Sequence, residues 1–360
     1  MKSIDLKDIG LTEEYIQEAS MYDENLHMAR VSVQHKDIYK VITNEGECFA
    51  EISGKMHYDA EYSSDYPAVG DWVLVDRTSD EHGHAIIHHI LRRRSCFERK
   101  MAGTSRDYQV VASNIDTVFI CMSLNKDFNL RRLERYLSIA WDSMATPVVV
   151  LTKADLCDDV QGMLIKAQSV AIGVDIITTS SMSEDGYLDV KKYIARGKTV
   201  AFIGSSGVGK STLINRLLGE ELLATKGLRD DDKGRHATTF RQLLMIPGGG
   251  VVIDTPGMRE LQLAAADLDR TFSDIEELAQ NCRFKDCRHE EEPGCAVREA
   301  IEQDRLDEKR LESFKKLQKE LKYQELDSKQ REKEKIVEMF GGKGAMKEAR
   351  DFVKRKNKRR

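Results

Sequence analysis

Short apolar runs broken by turn residues fill the first third of the chain, and longer apolar runs spaced by amphipathic stretches fill the middle. After an acidic leader, residues 1–28, whose spacing predicts helix, Arg30–Val33, Tyr39–Thr43, Cys48–Ile52, Trp72–Val75 and Ala85–Ile90 carry the alternation or β-branched content of strands. Asn44-Glu45-Gly46 and Val69-Gly70-Asp71 punctuate them as turns. Five short strands predict a small barrel over residues 29–98, an architecture that often binds oligonucleotides on one face. From Asn114 the period changes. Thr117–Met122, Pro147–Leu151, Val174–Thr178, Thr199–Ile203, Gln242–Ile246 and Val251–Ile253 read as strands, with helices over Leu130–Trp141, Ala154–Val170 and Lys210–Leu218. This βαβ rhythm predicts a multidomain α/β chain whose residues 112–267 form a mostly parallel sheet with its sites at the strands' carboxyl ends. Helix resumes over 268–326, including a long stretch from Cys295 to about Leu326, and a charged extension occupies 327–360.

At 360 residues, 41% apolar and 32% charged, the chain can bury a sizeable core divided among two or three domains. Its start, Met1-Lys2-Ser3-Ile4-Asp5, leads into no apolar segment, and no run approaches the roughly 18 apolar residues of a membrane helix. A cytoplasmic protein with no membrane partner is expected. Among seven cysteines, Cys48, Cys96, Cys121 and Cys157 are scattered and read as small buried hydrophobes, whereas Cys282, Cys287 and Cys295 cluster beside His289. A net charge of −5 argues against a wholly basic nucleic-acid coat, but bases concentrate at Arg92-Arg93-Arg94, Arg99-Lys100 and Lys354–Arg360. The run from Arg92 to Lys100 would suit a phosphate backbone beside the barrel, and a solvated surface accounts for it equally.

The chemistry-bearing motifs come in an unusual order. Gly204-Ser205-Ser206-Gly207-Val208-Gly209-Lys210-Ser211 succeeds an apolar strand and opens a helix, the context a phosphate-binding loop requires. Its amides would close round the phosphates, Lys210 would meet β- and γ-phosphate oxygens, and Ser211, with Thr212 next to it, would put its hydroxyl on Mg²⁺. Asp254-Thr255-Pro256-Gly257 ends the next apolar run, so Asp254 would hold Mg²⁺ through water and the Gly257 amide would meet the γ-phosphate. Between them Gly234-Arg235-His236-Ala237-Thr238-Thr239 offers a switch threonine for the metal, Thr239 before Thr238. Upstream of all of these, Thr152-Lys153-Ala154-Asp155 comes after the run Val148–Leu151. The Asp155 carboxylate can accept the guanine N1–H and exocyclic amine, which adenine cannot offer, so GTP is favoured over ATP. Lys153 would lie against the base plane, and Ser180 and Ser181, in a serine turn, would add backbone contacts. In most GTPases the phosphate loop comes first. The reversed order points to a circularly permuted guanine-nucleotide domain.

Cys282, Cys287, His289 and Cys295 supply three thiolates and one imidazole, a closed tetrahedral set for a structural Zn²⁺. His82, His84, His88 and His89 lie on a strand with no cysteine nearby and read as surface or half-buried imidazoles rather than a second metal site.

These motifs resemble the circularly permuted, ribosome small-subunit-dependent GTPases of the RsgA (YjeQ) type. Pro67-Ala68-Val69-Gly70-Asp71-Trp72-Val73, Val118-Phe119-Ile120, Gly234-Arg235-His236, Asp254-Thr255-Pro256-Gly257, Asp286-Cys287-Arg288-His289 and Glu292–Val297 carry the resemblance, over about Arg30 to Leu321. It implies an OB-type barrel, a central P-loop GTPase and a helical zinc domain. Together these would grip the small (30S) ribosomal subunit and its 16S rRNA during late maturation, and the subunit would stimulate hydrolysis of GTP to GDP. Two features depart from the pattern. Thr152 stands where the family usually has asparagine, which predicts weaker guanine affinity, and the extension after about Lys322 is unexplained. Met258 sits after Gly257, where many GTPases place a water-orienting glutamine, so catalysis would fall to His236 in the switch segment or to a group from the ribosome. An ATP-using phosphotransferase and an RNA-binding nucleotide switch that does not act on the ribosome stand as alternatives. A monomer is expected, because no heptad seam or apolar edge strand announces self-association.

Overall fold

The computed structural model describes residues 3–35, 38–100, 107–180, 183, 186–220, 223, 241–254 and 266–325. His236, Thr238, Thr239, Gly257, Met258, Ser181 and the extension after residue 325 lie outside them.

A 3₁₀ turn at Leu6–Ile9 and helix α1 (Glu13–Ala19) precede strands β1 (His27–Gln34), β2 (Tyr39–Thr43) and β3 (Gly46–Ile52), helix α2 (Gly54–Asp59), and strands β4 (Trp72–Val75) and β5 (Ala85–Ile90). The strands pair in the order β1-β2-β3-β5-β4, and β4 returns to β1, so the sheet closes into the expected five-stranded barrel. Only β3 and β5 run parallel within it. Alternate residues point inward: Ala29 and Val31, Cys48 and Ala50, Val73 and Val75, and Ala85 and Ile87 form its buried interior.

The leader straps the barrel to the central domain. Ile4 N donates to Asn44 O in the barrel (2.9 Å), while Gly197 N donates to Asp8 O (3.0 Å). Arg30, fully buried, donates to the carbonyls of Ile9, Gly70 and Asn114 and lies 5.4 Å over the Trp72 ring. Burial pulls its pKa down to about 10. The basic run expected to form a loop does so only over residues 92–95. Arg93 pairs with both carboxylate oxygens of buried Asp71 (2.9 and 2.7 Å) and donates to Ser64 O and Tyr66 O. Burial works against that charge, and the pairing with Asp71 more than offsets it. Arg94 stacks on Tyr15, and Cys96–Lys100 is strand β6, paired with β7 (Tyr108–Ser113). Arg93 and Arg94 therefore serve the fold, although Arg94 is exposed; Arg92, also exposed, has no such side-chain partner among the described residues.

The chain continues through β8 (Thr117–Ser123), α3 (Leu130–Asp142), β9 (Thr146–Thr152), α4 (Val160–Gln168), β10 (Asp175–Thr178), α5 (Leu188–Lys191), β11 (Thr199–Ile203), α6 (Lys210–Leu218), β12 (Gln242–Met245) and β13 (Val251–Asp254). Their order is β10-β9-β8-β11-β13-β12, parallel except for β12, and β12 meets β1 at Gln242 and Val33 to join sheet and barrel. One face packs Val118, Ile120, Val149 and Ile203 under α3. The other packs Phe119, Cys121, Val200 and Phe202 under α6. The helix expected over Ala154–Val170 is broken: Lys153 adopts φ 58°, a 3₁₀ turn covers Ala154–Leu156, and the Asp159 carboxylate caps α4 at Gly162 N.

Helices α7 (Leu268–Thr271), α8 (Ser273–Ala279), α9 (Ala296–Glu302) and α10 (Glu308–Glu325) complete the chain's described part. The single helix expected from Cys295 to about Leu326 is two, separated by a turn with Asp304 at φ 54°. Phe272, Ile275, Val297, Phe314 and Leu317 share the core that lies against α3.

Candidate nucleotide and metal sites

Strand β11 ends at Ile203 in the middle of the parallel sheet, flanked by β8 and β13, and the chain turns sharply into α6. Gly204, at φ 139°, passes so close to β8 that a Cβ there would sit 2.3 Å from Cys121 O, and Gly209, at φ 102°, starts the helix. Both positions demand glycine. Lys210 folds back over the turn, its ammonium donating to Gly204 O (2.7 Å) and Ser205 O (2.6 Å). Ser211 and Thr212 stand in the first turn of α6, and Asp254 ends the neighbouring strand β13. Backbone amides, ammonium, hydroxyl and carboxylate thus converge at the carboxyl edge of the sheet, where an anion and its counter-cation are best held.

The base motif arrives at the same edge from β9. Buried Thr152 donates its hydroxyl to Val208 O of the phosphate loop at 2.5 Å, with Met122 O 3.4 Å away. The residue that departs from the family pattern is therefore a tether between base reader and phosphate loop. A hydroxyl makes that single donation where an amide would bring two donors and an acceptor. Exposed Asp155 accepts from the Ser180 hydroxyl at 2.5 Å, and Ala154 N donates to Thr179 O (3.2 Å), so the strand-end turn after β10 fixes the carboxylate. Ser180 meets Asp155 by its side chain, which adds to the backbone role expected of it. Arg132, which sequence reasoning passed over, donates to Ser205 Oγ (2.8 Å) and Asp127 Oδ1 (3.0 Å). No local motif marks it, because Ser205 lies 73 positions away.

Cys282 lies just after α8, Cys287 and His289 occupy the succeeding turn, and Cys295 caps α9. Their four candidate donor atoms lie within 4.8 Å of one another. Cys282 Sγ is 3.9 Å from Cys295 Sγ, and His289 Nδ1 is 3.7 and 3.4 Å from those sulfurs. Burial, then Lys315, lowers the His289 pKa and keeps the imidazole in the neutral form that binds metals. Glu292, absent from the expected set, accepts from Arg288 N (3.0 Å) and Glu290 N (2.8 Å); these bonds bring its pKa down to about 2 and brace the turn. His84 bonds Glu51, and His89 stacks on Tyr22.

A P-loop sheet whose base reader precedes its phosphate loop, joined to a five-stranded barrel and a helical region with four clustered Cys/His donors able to hold a metal, defines a circularly permuted GTPase. The sequence model of the RsgA GTPase family matches residues 90–264. A model of the ABC transporter family matches 187–349, a stretch that contains the phosphate loop but not the base motif. "Small ribosomal subunit biogenesis GTPase RsgA 2" of Lactiplantibacillus plantarum is 52% identical over 347 residues, 96% of this chain and 97% of that protein. RsgA 1 of Oceanobacillus iheyensis is 45% identical over 88% of this chain and 93% of its own length. Among solved structures, YjeQ from Thermotoga maritima superposes with a TM-score of 0.60 at 25% identity, covering 82% of this chain and 98% of that one. The fold of YloQ, described as a circularly permuted GTPase, is similar at a TM-score of 0.58 and 24% identity, over 84% of this chain and 97% of that one. The chain belongs to the RsgA family of GTP hydrolases.

Proposed function

We propose that this chain binds GTP with Mg²⁺, hydrolyses it to GDP and phosphate, and acts in late maturation of the small ribosomal subunit. The observation that carries the nucleotide reading is the bond from Thr152 to Val208 O, which ties a guanine-reading carboxylate, Asp155, to a preformed phosphate loop. Gly204 to Gly209 wrap the phosphates, with Lys210 on the β- and γ-oxygens and Thr212 beside them. Ser211, Thr239 (or Thr238) and Asp254 serve the Mg²⁺, and the Gly257 amide meets the γ-phosphate. Lys153, Ser180 and Ser181 complete the base site. His236, in the switch segment, orients the attacking water, since Met258 cannot.

The small-subunit role rests on the names of relatives that match nearly the whole chain. In this reading the barrel, 29–98, and the helical domain, 268–326, contact 16S rRNA on either side of the GTPase, 112–267, and the extension, 327–360, adds basic contacts. The protein acts as a cytoplasmic monomer. Its Cys/His cluster holds a structural zinc: tetrahedral zinc with Zn–S bonds of about 2.3 Å sets sulfurs about 3.8 Å apart, and Cys282 and Cys295 are separated by 3.9 Å. No ligand position is left open, so this metal organises the helices and takes no part in chemistry.

The test is GTP turnover by purified protein with Mg²⁺, alone and with small ribosomal subunits, with Lys210→Ala as control. Stimulation that the control lacks is expected. Tight GTP binding without stimulation would sink the ribosomal role and leave a nucleotide switch that acts elsewhere.

A further inference from the structure

The face of α3 carries charges that nucleotide chemistry does not use. At its start the Asn129 side-chain oxygen caps Arg132 N (3.0 Å), and Arg132 Nη1 reaches both Asp127 and the Ser205 hydroxyl. Ser205 is thereby gripped twice, at its carbonyl by Lys210 and at its hydroxyl by Arg132. Neighbouring positions of the helix reach the opposite way. Arg131 bridges Glu134 (2.6 Å) and Asp307 (2.8 Å). Glu134, fully buried, also accepts from Arg310 Nη1 (3.0 Å), and Arg310, 3% exposed, holds both oxygens of Asp274 on α8 (2.7 Å each). Arg135 clasps Glu320 of α10 through two 2.7 Å bonds.

Side chains from the first turns of α3 therefore join a single rigid helix to the phosphate loop at one end and to α8 and α10 along its length. Forked arginine–carboxylate bonds tolerate little sliding, and a buried pair broken on one side leaves an uncompensated charge. A displacement of Ser205 that moves Arg132 consequently favours a different seat for α3 against the C-terminal helices. We propose that Arg132 is a positioning residue for the phosphate loop, and that α3 couples the nucleotide state of that loop to the packing of α8 and α10. The inference rests on the nucleotide reading of the loop. By linkage, whatever loosens the distal pairs must alter nucleotide affinity, and nucleotide must alter the distal packing.

The test measures affinity of the full chain for GDP and for a non-hydrolysable GTP analogue. Arg132→Ala should weaken the analogue by about tenfold, Ser205→Ala by a similar factor, and the double variant by no more than the worse single change. Arg132→Lys, which keeps the charge but not the fork, should recover part of the loss. Glu320→Gln, away from the loop, should shift the ratio of GDP to analogue affinity by about threefold. Analogue loading should change hydrogen exchange along residues 308–325. Additive losses for Arg132 and Ser205 would overturn the positioning role. An unshifted ratio in Glu320→Gln, or exchange that ignores the nucleotide, would overturn the coupling. If wild-type protein and Lys210→Ala bind the analogue alike, the nucleotide reading itself fails, a result distinct from either.

Discussion

The phosphate loop and the Cys/His turn are both polar sites at helix ends, yet they are held in shape by different means. The loop hangs from β11 in the centre of a parallel sheet, and α6 behind it buries Leu213, Ile214 and Leu217. Glycine dihedrals and sheet packing set its geometry before any ligand arrives. The Cys/His turn lies between two helices of seven residues each, too short to persist unaided, and the ties within it include Arg283 N to Gly294 O at 3.0 Å, Cys287 N to Phe284 O at 3.3 Å and the two bonds to the Glu292 carboxylate. Its shape depends on four side chains agreeing on one point in space. On the function proposed above, nucleotide binding is accordingly a property of an already folded domain, whereas metal binding at the C-terminal end would be part of folding.

The largest effect should come from the second site. Stripping the metal with a chelator, or Cys282→Ser, removes a contribution on the order of 10 kcal/mol if the ion is structural zinc. Far-ultraviolet circular dichroism should show loss of the C-terminal helices while guanine nucleotide still binds. Nucleotide binding lost in parallel would break the contrast. Lys210→Ala should lower turnover by roughly 10²–10³-fold, as for loss of one preorganised charge at a reacting phosphate, with the melting temperature unchanged. Asp155→Asn inverts donor and acceptor at the base, so GTP affinity should fall roughly 10²-fold and xanthosine triphosphate should compete better than GTP. The smallest change is Thr152→Asn: an amide can keep the tether to Val208 O and add a second bond, so GTP should bind about fivefold tighter by calorimetry. Weaker binding would mean that the hydroxyl already meets the loop's full demand.

What the sequence disclosed obeys the same division. The phosphate loop, the base motif and the cysteine cluster are each local, with their chemistry carried within 4 to 14 consecutive positions. The five barrel strands and the alternation of the parallel sheet were legible for the same reason, since a period needs only near neighbours. Residues whose partners are remote stayed hidden. Arg93 in a basic run could not announce that Asp71 and two carbonyls take up its guanidinium, and the link from Glu134 to Arg310 crosses 176 positions. Helix breaks at Lys153 and Asp304 rest on positive φ values at residues other than glycine, which no periodicity signals. The β6–β7 hairpin escaped because charge in Arg92–Lys100 masked a strand that pairs across residues 101–106.

The division between a preformed nucleotide cradle and a metal-dependent C-terminal end is tested most directly by one comparison. GTP turnover is measured for metal-loaded and metal-depleted protein, each alone and with small ribosomal subunits. The account predicts that basal turnover at saturating GTP persists in the depleted protein, changed by no more than the few-fold that the α3 coupling transmits, with stimulation by the subunit confined to the metal-loaded one. Basal turnover lost on depletion, or stimulation that survives it, would contradict the account.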